Sequence, residues 1–200
     1  MTTSVRVEVP TTATRVVHSI DQTYCGQMTQ EQLYTVEQSH GEWELRRYAP
    51  YVLAEVEVQA SFESAGSLGF RPLVSYISGR NDSGEKLAMT APVIQRAHHG
   101  GSGHDVSFVL PADATLDTAP TPQDASVSLR AVTEEWAAAE KFSGRWTKKA
   151  CDDAELRLRS HVEHAGLAAI GAARFARYDP PWTPWFMRRN EVLIAVQPPN

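Results

Sequence analysis

The chain is poor in cysteine, and its two cysteines, Cys25 and Cys151, lie far apart. No Cys-x-x-Cys pair is present to hold zinc or run disulfide exchange, so both read as reduced thiols. Long apolar runs are missing as well. No stretch approaches the ~18 residues that span a bilayer, and residues 1–10 lack an apolar core of signal-peptide length. The expectation is a cytoplasmic protein with no membrane partner. Positive charge is also in short supply, with 19 Lys and Arg against 24 Asp and Glu and a net charge of −5. Lys148-Lys149 and Arg188-Arg189 are local pairs rather than a stripe. A general nucleic-acid binder needs a basic face to displace counterions, so no nucleic-acid partner is expected.

Catalytic signatures are absent too. The sequence has no phosphate-cradling glycine loop and no nucleophile elbow. Glu134-Glu135 would point to opposite faces of a strand, and Asp152-Asp153 sits where a helix start favours negative charge. His98, His99 and His104 lie in a glycine-rich loop that implies no fixed geometry. His161 and His164 are one helical turn apart, but their helix offers no third ligand. Neither an enzyme nor a metal site is expected.

What is present is ordinary globular patterning, with 42% apolar residues over a length that fits one domain. Residues 1–31 carry few large apolar side chains and read as a loose arm ahead of a domain over 32–197. Within that domain, Tyr34 to Glu37 and Trp43 to Tyr48 flank His40-Gly41 as a hairpin, and Tyr51 to Val58 alternates as a half-buried strand. Ser61 opens a helix that Gly79 stops, with Phe62, Gly66, Gly69, Leu73 and Tyr76 on one face. Phe70 and Val74 form an adjoining stripe, and Pro72 costs the helix on the order of 3 kcal/mol that packing must offset. The strand at Leu87 to Gln95 breaks near Pro92, and Val106 to Leu110 is another. The second half repeats the theme, with strands at Val127 to Val132 and Trp136 to Phe142. A helix then runs from about Ala150 to Ala165, with Cys151, Ala154, Leu158, Val162 and Ala165 inside. Strands at Phe175 to Tyr178 and Glu191 to Val196 close the domain. Strands, helix, strands, twice over, read as an internal pseudo-repeat of an α+β unit. Two such halves can close into a distorted β-barrel, each with one long helix packed on an antiparallel sheet.

The most informative segment is Asp179-Pro180-Pro181-Trp182-Thr183-Pro184-Trp185-Phe186-Met187-Arg188-Arg189-Asn190-Glu191-Val192. Three prolines in so short a span cannot continue a helix or a central strand. Two tryptophans and a phenylalanine on irregular backbone are costly to leave in water, so the loop is expected to pack across the mouth of something. This segment resembles the C-terminal signature of the SOUL haem-binding proteins. Glu44-Leu45-Arg46-Arg47-Tyr48, the helix from Ser61 to Gly79, and Lys86-Leu87-Ala88-Met89-Thr90-Ala91-Pro92-Val93 fit the same family in the same order. The resemblance covers roughly Leu33 to Val196 and implies the two-half barrel already read from the repeat.

It further implies a soluble carrier, buffer or scavenger of haem or porphyrin. Two alternatives accompany it: a binding module for another small flat apolar ligand, like the effector-binding domains of similar architecture, and a haem-modifying enzyme. Family members place tetrapyrrole against the equivalents of the first helix and the aromatic loop. That makes Phe70, Leu73, Val74, Trp182, Trp185 and Phe186 the candidate walls of the site. Some SOUL proteins carry an axial histidine where this chain has Arg47. A guanidinium stays charged and does not ligate iron, so Arg47 is instead a candidate partner for a propionate. Met187, Tyr48 and Tyr76 are substitute axial ligands that the sequence leaves unranked. A monomer or weak homo-oligomer is expected.

Overall fold

The computed structural model describes residues 30–99 and 102–199, together with the backbone of 15–16, 22–24 and 27–29. Most of the expected N-terminal arm therefore lies outside the described residues. The first half comprises β1 (Arg15–Val16), β2 (Gln22–Tyr24), β3 (Gln27–Glu31), β4 (Thr35–Ser39), β5 (Trp43–Tyr48), β6 (Tyr51–Val58), α1 (Phe62–Ile77), β7 (Thr90–Ala91), β8 (Val93–Ala97) and β9 (His104–Val109). The second half comprises β10 (Val127–Val132), β11 (Glu135–Phe142), α2 (Lys148–His164), β12 (Ala169–Arg177) and β13 (Asn190–Val196).

The pseudo-repeat is written into the strand order, which runs β1-β4-β5-β11-β13-β12-β8-β9-β6-β10. In each half the strand before the helix pairs with the last strand, giving β6-β9-β8 and β11-β13-β12. The halves join where β8 meets β12, with Arg96 opposite Arg174. They exchange strands at the other side, because β5 pairs with β11 and β10 with β6. The architecture is α+β as the sequence implies, but the ladder does not close into a barrel. The chain passes from β5 to β6 through Ala49-Pro50, and Pro50 has no N–H to donate. At that crossing Tyr48 faces Glu135 and Tyr51 faces Val132. The sheet curls round instead, and the Tyr51 hydroxyl donates to Glu135 Oε1 at 2.7 Å across the curl.

Both helices cover the same face of the sheet. Ser61 is extended at the start of α1, and Gly79 stops it with φ of 103°. Phe62, Gly66, Gly69, Leu73 and Tyr76 are buried, the face that the periodicity predicts. This face packs on Ala54, Val56, Val106 and Phe108. A Cβ at Gly69 would sit 2.6 Å from Val106 Cβ, so the glycine sets how closely α1 meets β9. In α2, Cys151, Ala154, Leu158 and Val162 pack on Leu45, Ala138, Val192 and Ile194. Ala165, expected inside, is exposed because the helix ends at His164 and Ala165 only caps it. Burial pushes the Cys151 thiol up to about 12, so it stays protonated and behaves as a core residue.

The face away from the helices is polar yet buried. Arg46 donates to Glu191 Oε2 at 2.7 Å and its guanidinium lies 4.1 Å from the centre of the Tyr34 ring. Glu135 accepts from Arg174 at 2.9 Å, and Glu55 accepts from Arg130 at 2.9 Å and from Ser107 at 3.1 Å. Burial alone would raise all three carboxyl pKa values, but their arginine partners outweigh it and hold Glu191, Glu135 and Glu55 below the usual range. A carboxyl whose pKa is depressed on folding contributes stability above its unfolded value and loses it as pH falls through the folded one. Stability is therefore expected to hold from pH 7 to about 5 and to drop steeply below about 4.5. Urea midpoints measured across that range test this, and a midpoint unchanged at pH 3.5 would show the pairs to be energetically idle.

Candidate ligand-binding site

The segment between β12 and β13 is built as a rigid ledge. Thr183 N–H donates to the Pro180 carbonyl, and Met187 N–H donates to the Pro184 carbonyl within a single 3-10 turn at Trp185–Met187. Arg188 reaches back from the far end, with Nε donating to the Thr183 carbonyl at 2.8 Å and Nη2 to that of Pro181. Gly144 N–H donates to the Trp185 carbonyl at 3.1 Å, tying the ledge to the turn before α2. The prolines explain the backbone, and Arg188 explains why it holds one shape.

The side chains on this ledge face solvent. Trp182 is 69% exposed, Trp185 51%, Phe186 61% and Met187 66%. Trp185 and Phe186 meet edge to face at 5.7 Å. Together they form an exposed patch of large apolar side chains on a held loop, which makes this loop the candidate ligand surface.

At the root of the ledge lies a second feature, which sequence reasoning missed. Phe62, the first residue of α1, stacks on Trp146 at 5.5 Å. The Arg177 guanidinium lies 4.5 Å from the centre of the Trp146 ring and fills the gap left by Gly66, where a Cβ would overlap it. Burial lowers the pKa of Arg177, and the charge of Arg188 lowers it further. Its signal in the sequence was the period of two. Ala173, Phe175 and Arg177 share the helix-facing side of β12, where a charge is out of place.

The expected wall residues are divided by the structure. Trp182, Trp185 and Phe186 share the ledge. Phe70 is 38% exposed one helical turn beyond Gly66, and it meets Phe108 edge to face at 5.3 Å. Val74 is half-buried against the α1 core, and Leu73 is fully buried, so Leu73 supports the helix rather than offering surface. Arg47 sits on β5 in ion pairs with Glu37 at 2.7 Å and Glu134 at 3.3 Å, which neutralise it. Tyr48 and Tyr76 are buried, burial pushes each hydroxyl up to about 12, and the Tyr76 hydroxyl donates to the Pro120 carbonyl. Of the three substitute axial donors, Met187 alone stands on the ledge. A polar cleft of about 400 Å³, lined by Glu42, Trp43, Glu140 and Arg157 among others, lies elsewhere and contains none of these residues. Among the described residues, no helix is long and apolar enough to cross a membrane.

Fold and site together define a class: α+β proteins of two pseudo-symmetric halves, both helices on one face of a curled antiparallel sheet, with an exposed aromatic loop between the last two strands. The C-terminal domain of EcmrR shares this fold at a TM-score of 0.60 and 14% identity, over 78% of this chain and 96% of that one. A hydrolase from Listeria innocua shares it at a TM-score of 0.55 and 10% identity, over 78% and 92%. At such identities the likeness is one of fold alone. The particular family is the SOUL heme-binding proteins, to which this chain belongs, since the family model matches residues 29–195. Human heme-binding protein 2 is 28% identical over 132 residues, 63% of this chain and 64% of the human protein. The chain thus spans a little under two thirds of that relative's length.

A tetrapyrrole presents a broad flat apolar face and a polar edge. The ledge of Trp182, Trp185 and Phe186 suits the face, and a half-buried guanidinium at its root suits the edge. The residues present therefore fit such a group, with Met187 as the soft donor nearest an iron centre's requirements.

Proposed function

We propose that this protein binds haem or porphyrin as a carrier, buffer or scavenger, and that the ligand lies against the aromatic ledge and the first turns of α1. The observation that carries the reading is the ledge itself, four large apolar side chains held open to water by a proline-stiffened loop. Trp185 and Phe186 would hold the flat face by packing, Phe70 would continue that surface along α1, and Arg188 keeps the ledge in shape. Bound haem would add an iron centre capable of ligation and redox chemistry. Family membership supports the ligand class. The carrier role rests on the exposure of the ledge to solvent, which favours exchange of ligand. Because the ledge relies on packing, a binding module for another flat apolar molecule is the second reading.

Titration with hemin and with iron-free protoporphyrin, followed by tryptophan quenching, tests the proposal. Replacing Trp185 and Phe186 together by alanine is expected to weaken both ligands by at least about tenfold while leaving the fold intact, because both side chains are exposed. Equal affinity for hemin and protoporphyrin identifies packing as the main force. A marked preference for hemin that Met187→Leu removes identifies Met187 as an iron ligand. Absence of micromolar binding by either compound, or unchanged affinity in the double variant, defeats the reading.

A further inference from the structure

Arginine is plentiful on the sheet of this fold, and among the described residues its arginines are mostly paired with acids. Arg46 and Arg189 share Glu191, Arg174 holds Glu135, and Arg130 and Arg96 share Glu55. Arg177 is the exception. Among the described residues it makes no ion pair and no hydrogen bond, and its guanidinium lies against the Trp146 ring. The Cys151 thiol, which acts on Arg177 electrostatically, is kept protonated by burial and is therefore uncharged. Arg188, the adjacent charge, has the same sign.

A half-buried guanidinium without a counter-charge is destabilising, and the cation–π contact offsets only part of that. The helix also concedes something to it. Gly66 lies within α1, where glycine is less favourable than alanine, yet a Cβ there would overlap the guanidinium. Two local costs converge on one position, at the root of the aromatic ledge. We infer that Arg177 is a built anion site that takes a carboxylate of the ligand and so selects flat apolar molecules that carry an acid. This deepens the tetrapyrrole reading and rests on it for the ligand's apolar part, but the anion site itself is separately testable.

The experiment compares protoporphyrin IX, a diacid, with its dimethyl ester at fixed ionic strength and detergent. The wild type is expected to prefer the diacid by about tenfold or more, the scale of a charge-assisted hydrogen bond. Arg177→Gln is expected to abolish that preference and to leave ester affinity within about twofold. Gly66→Ala should behave alike while staying folded, because the alanine displaces the mobile end of a side chain and not backbone. If Arg177→Gln weakens diacid and ester equally, or weakens neither, Arg177 is a structural lid on Trp146 and the inference is wrong. A parallel arm measures Tm in sodium phenylacetate against sodium chloride. Stabilisation of the wild type and not of Arg177→Gln upholds the anion site even if no porphyrin binds, in which case only the tetrapyrrole reading falls. Equal response of both proteins to phenylacetate overturns the anion site.

Discussion

Glu191→Gln is expected to destabilise the protein by about 3 kcal/mol and to lower its Tm by roughly 6–12 °C. Glu191 is fully buried on β13 and carries three partners. Arg46 donates to it at 2.7 Å, the Tyr178 hydroxyl at 2.9 Å and Arg189 at 3.0 Å. Arg46 is equally buried. An amide in place of the carboxylate keeps the shape but removes the counter-charge, and the penalty for a dry, underpaired guanidinium exceeds what the intact pair contributes over two apolar side chains. Glu44 at 2.7 Å and Glu31 at 3.0 Å still answer Arg46 and Arg189, which places the effect at the lower end of the range for broken buried pairs. Coupling is the sharper readout. The double variant Glu191→Leu, Arg46→Met should recover most of the loss, since neither charge then remains to be desolvated. Additive losses would show that the network matters through packing and not through charge.

Gly69→Ala should cost about 1–3 kcal/mol, whereas Gly66→Ala one turn earlier should cost nothing or stabilise. The two glycines lie on the same buried face of α1, and helix propensity alone favours alanine at both. Their surroundings decide the sign. Gly66 faces the tip of Arg177, which can swing aside. Gly69 faces the Cβ and both methyls of Val106, a fully buried β-branched residue in the middle of β9, and that strand is paired on both edges. α1 must therefore lift from the sheet, opening gaps along Ala54, Val56 and Phe108. Equilibrium urea unfolding of the two single variants measures the contrast, and equal stability of both would show that the helix rides loosely on the sheet.

Local pattern carried much of the fold. The inner faces of α1 and α2, the stop at Gly79 and the strand–helix–strand repeat all follow from periodicities of two and 3.6 and from glycine's access to positive φ. The ledge at Trp182 to Met187 was likewise legible, because three prolines and three aromatics leave few alternatives. β12 was harder to delimit. It starts at Ala169 rather than near Phe175, through a bulge between Ile170 and Arg174 where alternation fails.

Other features were decided only when the chain closed on itself. Period-two alternation assigns Arg46 and Glu191 to the side opposite the helices, which reads as a solvated face. It cannot say that the sheet curls until that side is dry, because the partners are 145 residues apart in sequence. The same limit governs the candidate site. Phe70, Leu73 and Val74 look like one wall on a helical wheel, yet Leu73 is sealed in the core while Phe70 reaches solvent. Arg47 and Arg177 are both arginines on strands, and the sequence singled out the first. Only packing shows that Glu37 and Glu134 satisfy Arg47, and that Arg177 lies over Gly66 beside Trp146 with no acid to answer it. A residue's own neighbours along the chain determine which way it points, while its counter-charge is settled by segments that the backbone brings together from elsewhere.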